Sequence, residues 1–192
     1  PGILTRDTLP DSIAFNLTGI SSRAVHVTAN DNISVVASIE SFQRSESTCI
    51  LPVSLLGNHY YVMDDSALGN SSDYSEFMII GQCSKDSVKI IPSQNLTSGA
   101  LAGVPFTIVL QPGQVYQAQA DSDLTGSEVI SLNHSETAVI AGAVATTVGS
   151  PGCNGGTVNP FYEELFPVNT WGKNYVLLPT QNAEDWFRVL SE

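Results

Sequence analysis

Short apolar runs separated by turn-forming residues dominate this chain. Each run is rich in β-branched or aromatic residues and is bounded by Asn, Asp, Gly or Pro, which is typical of strands. Turn signals recur about every 8 to 12 residues, a spacing typical of sandwiches, barrels and propeller blades. The pattern predicts an all-β fold with strands at Ile33–Ser38, His59–Met63, Glu76–Ile80, Ser87–Ile91, Phe106–Leu110, Gln114–Gln119, Glu128–Leu132, Ala138–Val144, Tyr175–Leu178 and Trp186–Leu190.

Helical periodicity is weak throughout the sequence. The best candidate lies at Phe161–Leu165, where Pro160 and Pro167 restrict any helix to one or two turns. We therefore expect no long helix in the fold.

An internal repeat links the two halves of the chain. Leu51–Tyr60 aligns with Phe166–Tyr175, because both contain Pro-Val, then Gly five residues after the Pro, then Tyr three residues later. Upstream, Val25–Ala37 aligns with Val129–Ala141, and the two blocks keep the same order in both halves. The repeat predicts two related antiparallel β-units.

The predicted division of the chain follows from these alignments. Residues 1–118 form the first unit with an N-terminal extension, and residues 119–192 form the second. The second copy stops at Glu192, on the strand that corresponds to Glu76–Ile80, so we expect it to be incomplete and the chain to be a fragment. Tandem sandwiches are the favoured arrangement, and propeller-like blades are the alternative.

Charge and length exclude several classes of partner. The chain has 19 acidic and 7 basic residues, a net charge of -12 and no cluster of Lys or Arg. A phosphate backbone or an anionic membrane attracts basic surfaces, so neither is expected as the main partner. The longest apolar run, Ala138–Val148, is far shorter than the roughly 20 residues that span a bilayer.

The N-glycosylation sequons indicate in which cellular compartment the protein is made. Composition alone would give about two Asn-x-Ser/Thr tripeptides, and this chain has more, mostly in turn-like stretches where a glycan is solvated. A secreted or cell-surface glycoprotein is the prediction, and a Ser/Thr-rich cytosolic or bacterial protein with accidental sequons is the alternative. The predicted glycosylation sites are Asn16, Asn32, Asn70, Asn95 and Asn133.

The cysteines allow one disulfide and leave one thiol over. Cys49 precedes and Cys83 follows a segment of two predicted strands, so a Cys49–Cys83 bond is expected. Cys153 would then be unpaired or bonded to a partner outside this chain. None of the three has the C-x-x-C spacing of a zinc or redox site.

Two sequence segments imitate known sites. Asp121–Gly126 begins like an EF-hand loop, but Leu132 stands where a bidentate Glu is needed. It also imitates a phosphotransfer signature, which needs an apolar buried strand directly upstream and helices in a parallel sheet, whereas the polar-apolar alternation Gln117–Ala120 lies upstream and no such helices are predicted. A turn capped by Asp and Thr is the preferred interpretation. Gly152–Gly156 matches a cysteine-protease segment, yet no His follows His134, so a surface loop is favoured over a protease.

Other polar and aromatic residues could serve either as ligands of a binding site or as structural groups. Asp64 and Asp65, with Asp73 nearby, could bind Ca²⁺ loosely, although a solvated turn is favoured. No metal site or cofactor is predicted. Strand aromatics can stack on sugars or anchor an interface, but their recurrence in the repeat favours core packing. The aromatic residues in question are Tyr60, Tyr61, Trp171 and Tyr175.

An ordered series of segments runs along the second half of the chain: Thr107–Tyr116, Asp123–Ser131, Ala138–Gly142, Glu164–Pro167, Trp171–Gly172 and Tyr175–Val176. This series resembles the IgGFc-binding protein N-terminal domain family, and the resemblance covers residues 24–192. The family usually carries a Cys-Asp-His-Leu element shortly before its Glu-x-x-Pro, whereas this chain has Gly152–Gly156 there. The resemblance implies an extracellular module of large mucus-type or adhesive glycoproteins, and immunoglobulin Fc is implied as a partner by the family name alone.

These observations predict a non-catalytic extracellular glycoprotein module for adhesion, matrix or mucus assembly. Its expected partners are other secreted glycoproteins or matrix proteins, the remainder of its own chain, or neighbouring copies. A lectin-like or Ca²⁺-dependent binding module is the alternative. A secreted hydrolase is less favoured, because it would need His26, His59 or His134 beside a nucleophile and a carboxylate.

Overall fold

The structure, a computed structural model, confirms the all-β fold. It describes residues 3–14, 17–41, 44–66, 73–134, 136–148, 157–178 and 187–192. The strands are β1 (Gly19–Ser21), β2 (Val35–Ser41), β3 (Arg44–Ile50), β4 (His59–Tyr61), β5 (Ser75–Gly81), β6 (Asp86–Ile91), β7 (Phe106–Leu110), β8 (Val115–Ala120), β9 (Glu128–Ser131), β10 (Thr137–Val148) and β11 (Thr157–Glu164). Within these ranges the helical elements are three short 3₁₀ turns, at Asp11–Ile13, Val53–Leu55 and Val168–Thr170.

Three antiparallel sheets form the architecture. A five-stranded sheet has the order β1-β8-β5-β10-β11, a four-stranded sheet has the order β4-β9-β6-β7, and β2 pairs with β3 in a hairpin. The two larger sheets pack face to face as a sandwich, because their alternating apolar side chains meet in one core. Phe77 and Ile79 of β5 are fully buried there against Val88, Ile90 and Val129 of the other sheet.

Strands from both predicted units share this core. The predicted division between residues 118 and 119 falls within β8. β9 lies between β4 and β6, and β10 pairs with β5. Each larger sheet therefore combines strands from before and after the division, and the duplication remains a prediction about the sequence.

The structure corrects the helical expectation. Phe161–Leu165 lies almost wholly in β11 (Thr157–Glu164), which pairs with β10. Pro160 is compatible with this strand because β11 is at the edge of its sheet, where a missing backbone donor is tolerated. Tyr175–Leu178 was predicted as a strand, but the structure gives it no strand pairing and leaves its side chains exposed.

The aligned blocks of the repeat have the same local structure. In each, a hairpin is followed by a Pro and a 3₁₀ turn: β2–β3 leads to Pro52 and Val53–Leu55, and β10–β11 leads to Pro167 and Val168–Thr170. Both prolines have nearly the same extended backbone angles, with φ of −64° and −67°.

After the 3₁₀ turn, both copies of the repeat form the same hydrogen bond. The backbone N–H of Gly57 donates to the Tyr60 hydroxyl at 2.8 Å, and the N–H of Gly172 donates to the Tyr175 hydroxyl at 2.8 Å. A Gly followed three residues later by a Tyr therefore closes the same small loop twice. We call this element, from the Pro to the Tyr, the Pro-Tyr motif.

The two copies of the repeat also contact each other. Strands β3 and β11 pack side by side, and the Glu164 side chain crosses between them to accept the Leu51 N–H at 2.7 Å. The Glu164 N–H in turn donates to the Thr48 hydroxyl at 3.1 Å. These bonds fix the hairpin β2–β3 to the edge of the larger sheet.

Candidate functional site

The outer surface of the four-stranded sheet carries aromatic and charged side chains at its β4 edge. Successive strand residues point to opposite faces, so Tyr60 enters the core while His59 and Tyr61 point outward. Glu128 of β9 lies opposite Tyr61 in the strand pairing. The His59 Nε2 atom is 2.8 Å from the Glu128 carboxylate, and both side chains are about a quarter exposed.

Trp171 completes this group from the second 3₁₀ turn. Its ring centroid is 6.0 Å from that of Tyr61, which is itself 5.2 Å from the His59 ring. The indole N–H donates to the Phe166 carbonyl at 3.2 Å, which fixes the orientation of the ring. We call His59, Tyr61, Glu128 and Trp171 together the aromatic face.

A glycine allows Trp171 to lie so close to β4. A Cβ atom at Gly57 would overlap with the ring of Pro167, which begins the second Pro-Tyr motif. The absence of a side chain at Gly57 therefore lets the second motif pack directly on the first. This contact connects the repeat to the geometry of the aromatic face.

The chemistry of the aromatic face suits a ligand with both apolar and hydroxyl or amide groups. Burial and the neighbouring Glu128 carboxylate, which accepts a hydrogen bond from the Tyr61 hydroxyl, raise the pKa of Tyr61, so this hydroxyl stays protonated. Glu128 supplies an acceptor, and the rings of Tyr61 and Trp171 offer apolar surface. Aromatic rings beside a carboxylate can bind a sugar ring or a peptide side chain.

The predicted turn at Asp121–Gly126 is confirmed. The Asp123 carboxylate accepts the Thr125 N–H at 2.9 Å, and Gly126 has a φ of +88°, which only glycine adopts readily. The turn packs beside the end of β4, because the Thr125 hydroxyl donates to the Asp64 carbonyl at 2.9 Å.

An arginine from the C-terminal segment binds this turn and the acidic residues near it. Arg188 donates to the Asp123 carboxylate at 2.7 Å, to the Asp65 carboxylate at 2.8 Å and to the Asp64 carbonyl at 2.8 Å. Burial opposes ionisation of Asp123, but hydrogen bonds from Thr125 and Arg188 outweigh it and lower its pKa. Among the residues that the structure describes, no group of three or more His, Cys, Asp or Glu is arranged to hold a metal ion.

Two buried carboxyl groups lie near the start of β5: Glu76 is on this strand, and Asp64, which follows β4, is bonded to its first residue, Ser75. Asp64 accepts hydrogen bonds from the Ser75 hydroxyl and the Asp65 N–H, and burial raises its pKa to about 8. Glu76 accepts the side-chain amides of Gln117 at 3.1 Å and Gln119 at 2.9 Å, and burial raises its pKa to about 7. Both groups are therefore protonated more readily than exposed carboxylates.

The structure describes three of the five predicted glycosylation sites. Asn32, Asn95 and Asn133 are exposed. Asn95 accepts the Ala102 N–H through its Oδ1 atom at 2.9 Å, and the Asn133 Nδ2 atom donates to the Lys85 carbonyl at 2.7 Å. A glycan replaces only one of the two hydrogens on Nδ2, so the second bond is compatible with modification. Asn16 and Asn70 lie outside the described residues.

The predicted disulfide is not formed in the structure. Cys49 lies on β3 and Cys83 follows β5, and both are free and exposed thiols. Cys153, with the rest of the Gly152–Gly156 loop, lies outside the described residues. The expectation rested on sequence order alone, which does not place two Cβ atoms within the short distance that a disulfide requires.

The histidines lie apart from one another. His59 bonds to Glu128, the His134 Nδ1 atom lies 3.1 Å from the Asn58 side chain, and His26 is exposed in the segment between β1 and β2. Tyr60 is a core residue, as the repeat predicted, whereas Tyr61 and Trp171 lie on the aromatic face.

Sequence reasoning missed Glu128 and the Glu76 network. Glu128 starts a predicted strand, but only the pairing of β4 with β9 reveals that it faces Tyr61 and His59. Gln117 and Gln119 alternate along β8, a signal that one face of that strand is polar. That this polar face is buried depends on the packing of other segments.

The fold and this surface define a β-sandwich module with a partly exposed face of aromatic and polar side chains. The chain belongs to the family described as "IgGFc binding protein", whose profile matches residues 46–192. This result confirms the resemblance found in the sequence.

A human relative, named "IgGFc-binding protein", is 28% identical to the chain over 171 residues. The match covers 86% of this chain and 3% of the relative, so the chain spans about 3% of that protein's length. No solved structure matches the chain. Among the described residues, no helix is long and apolar enough to cross a membrane.

Proposed function

We propose that this chain is a non-catalytic extracellular module that binds other secreted glycoproteins or matrix proteins. In this role it helps to assemble an adhesive or mucus-type glycoprotein. Family membership supports a binding role, and the exposed sequons support passage through a secretory pathway. The division into two related units is part of this proposal, with the second unit beginning near residue 119.

The aromatic face is the observation that carries the proposal. Its rings lie tilted against one another, with centroids 5.2 and 6.0 Å apart, on a strand and a 3₁₀ turn. These contacts already restrict the side chains, so little further side-chain entropy is lost when they bind a partner. Tyr and Trp are also the residues most enriched at the energetic centres of interfaces. Glu128 and His59 add polar groups that can orient a partner.

Two kinds of partner fit this face. An immunoglobulin Fc surface is suggested by the printed name of the human relative. A glycan is suggested by the geometry, because the Tyr61 and Trp171 rings lie beside the Glu128 carboxylate. Calcium-dependent recognition has less support, since the Arg188 guanidinium already pairs with the carboxylates of Asp65 and Asp123.

A binding assay tests the proposal. The immobilised chain is presented with IgG Fc fragments, mucin-type glycopeptides and a panel of free glycans. We expect at least one of them to bind, and the Tyr61→Ser and Trp171→Ser variants to weaken that binding at least tenfold. Val109→Ser is the matched control, because Val109 is half-exposed on β7 at the opposite edge of the same sheet.

Specific results of these assays would contradict the proposed function. If none of these probes binds, or if Val109→Ser weakens binding as much as Tyr61→Ser does, the aromatic face is not the binding surface. If the chain instead hydrolyses a small ester or glycoside, and His59→Gln abolishes that activity, the non-catalytic role is wrong.

A further inference from the structure

The two copies of the Pro-Tyr motif end in segments with opposite burial. Tyr60, at the end of the first copy, is 0% exposed, and Tyr175, at the end of the second, is 72% exposed. Two residues further on, Val62 is fully buried and Leu177 is largely exposed. Equivalent sequence positions therefore meet the core in one copy and solvent in the other.

The difference does not arise from local structure. Both tyrosines follow a Pro-led 3₁₀ turn, and both accept the N–H of the glycine three residues earlier at 2.8 Å. What Tyr60 has in addition is a partner strand. Its backbone pairs with Val129 of β9, and its hydroxyl donates to the Thr137 carbonyl at 2.6 Å.

A second pair of positions repeats the contrast. The sequence alignment of the two halves places Phe187 opposite Phe77 and Val189 opposite Ile79. Phe77 and Ile79 are fully buried on β5, whereas Phe187 is 68% exposed and Val189 is 79% exposed. Arg188, between them, bonds to Asp123 in the turn between β8 and β9 and holds this segment against the sandwich.

So many exposed apolar side chains close together in the sequence are unusual on a protein surface that has no partner. Val176 and Leu178 are also more than 90% exposed, and within the part of the chain that the structure describes no strand pairs with Tyr175–Leu178. These four consecutive residues therefore offer apolar contacts and backbone groups open to strand pairing. Such a segment is a template for strand addition. The first copy shows which partner fits, because there the equivalent segment is already paired.

We infer that Tyr175–Leu178 is a strand of the β4 type that pairs with a β9-like strand from another β-unit of the same family. The fitting strand is extended and antiparallel, and it carries an apolar residue opposite Tyr175, as β9 carries Val129 opposite Tyr60. This inference rests on the proposed assembly role, because strand addition is a means of joining successive modules.

The test supplies the missing strand within the same molecule. Residues 126–134, which contain β9, are appended after Glu192 through a Gly/Ser linker of about 12 residues, which reaches roughly 20 Å. A tethered strand acts at an effective concentration in the millimolar range, so even weak pairing is populated. Amide hydrogen exchange is then followed at residues 175–178.

We expect exchange at residues 175–178 to slow at least tenfold in the extended chain relative to the original chain. Tyr175→Ser in the extended chain should restore fast exchange, because it removes the side chain that the added strand would cover. The matched control appends the same strand with Val129→Lys and Ser131→Lys, which place charges on its inward-facing positions.

The inference would be overturned if the amides of residues 175–178 exchanged at the same rate with the native appended strand and with the lysine-bearing one. Protection that increases with protein concentration would overturn it as well. The occupant would then be a second copy of this chain, whose own β9 already lies between β4 and β6 and is not free to pair as the inference requires. The assay contains no Fc fragment, glycopeptide or glycan, so its failure is distinct from failure of the proposed binding function.

Discussion

Removal of the Tyr60 hydroxyl should destabilise the protein far more than removal of the equivalent Tyr175 hydroxyl. The Tyr60 oxygen is inserted between two buried backbone groups, since it accepts the Gly57 N–H at 2.8 Å and donates to the Thr137 carbonyl at 2.6 Å. Tyr60→Phe leaves both groups without this partner in a fully buried site. Each orphaned group costs about 1 to 3 kcal/mol, so we expect a loss of about 2 to 6 kcal/mol for the two groups together.

Tyr175→Phe is the matched control for this prediction. The same Gly–Tyr hydrogen bond is present, with the Gly172 N–H 2.8 Å from the hydroxyl, but the side chain is 72% exposed. Water can replace the lost partner, so the cost should be below about 0.5 kcal/mol.

Equilibrium unfolding in urea at pH 7 measures both costs. A shift of the midpoint with an unchanged slope reports a change in stability alone. Burial raises the pKa of Tyr60 to about 12, so its hydroxyl is protonated throughout the assay. If the two variants lose the same stability, or if Tyr60→Phe loses less than about 0.5 kcal/mol, the inserted hydroxyl does not support the fold as described.

Three further predictions concern acidity, packing and glycosylation. Because burial raises the folded-state pKa of Asp64 from 3.8 to about 8, its contribution to stability is complete below the unfolded value and is lost as pH rises. Between pH 5 and 8 the loss should approach about 4 kcal/mol, and Asp64→Asn should reduce the pH dependence of urea unfolding by that amount, leaving the part due to Glu76, whose pKa burial raises to about 7. Gly57→Ala should cost about 1 to 3 kcal/mol by overlap with Pro167, whereas Gly172→Ala, whose Cβ would have ordinary contacts, should cost less than half as much in the same assay. After expression in a secretory host, enzymatic deglycosylation should lower the intact mass, and absence of any shift would contradict glycosylation; peptide mapping should locate glycans at Asn32, Asn95 and Asn133.

Most strands were predictable because each is defined by residues that are neighbours in sequence. Phe106–Leu110 was predicted with its observed bounds. β6 and β9 differ from prediction by one residue at one end, and β5 by one residue at each end. Strand β3 (Arg44–Ile50) was not predicted, because its residues are largely polar. It forms a strand through its backbone pairing with β2, which its composition does not indicate. Tyr175–Leu178 has a strand-like sequence, but without a partner strand its backbone forms no ladder.

The sequence by itself determined the all-β class, the family and the repeated Pro-Tyr motif, because periodicity, turn residues and short spacings depend only on local order. The tertiary structure decided which copy of the motif is buried. It also brought Glu128 to His59 and Trp171 to Tyr61, and it left Cys49 free. These contacts join residues far apart in the chain, so they depend on strand order and register, which no local pattern specifies.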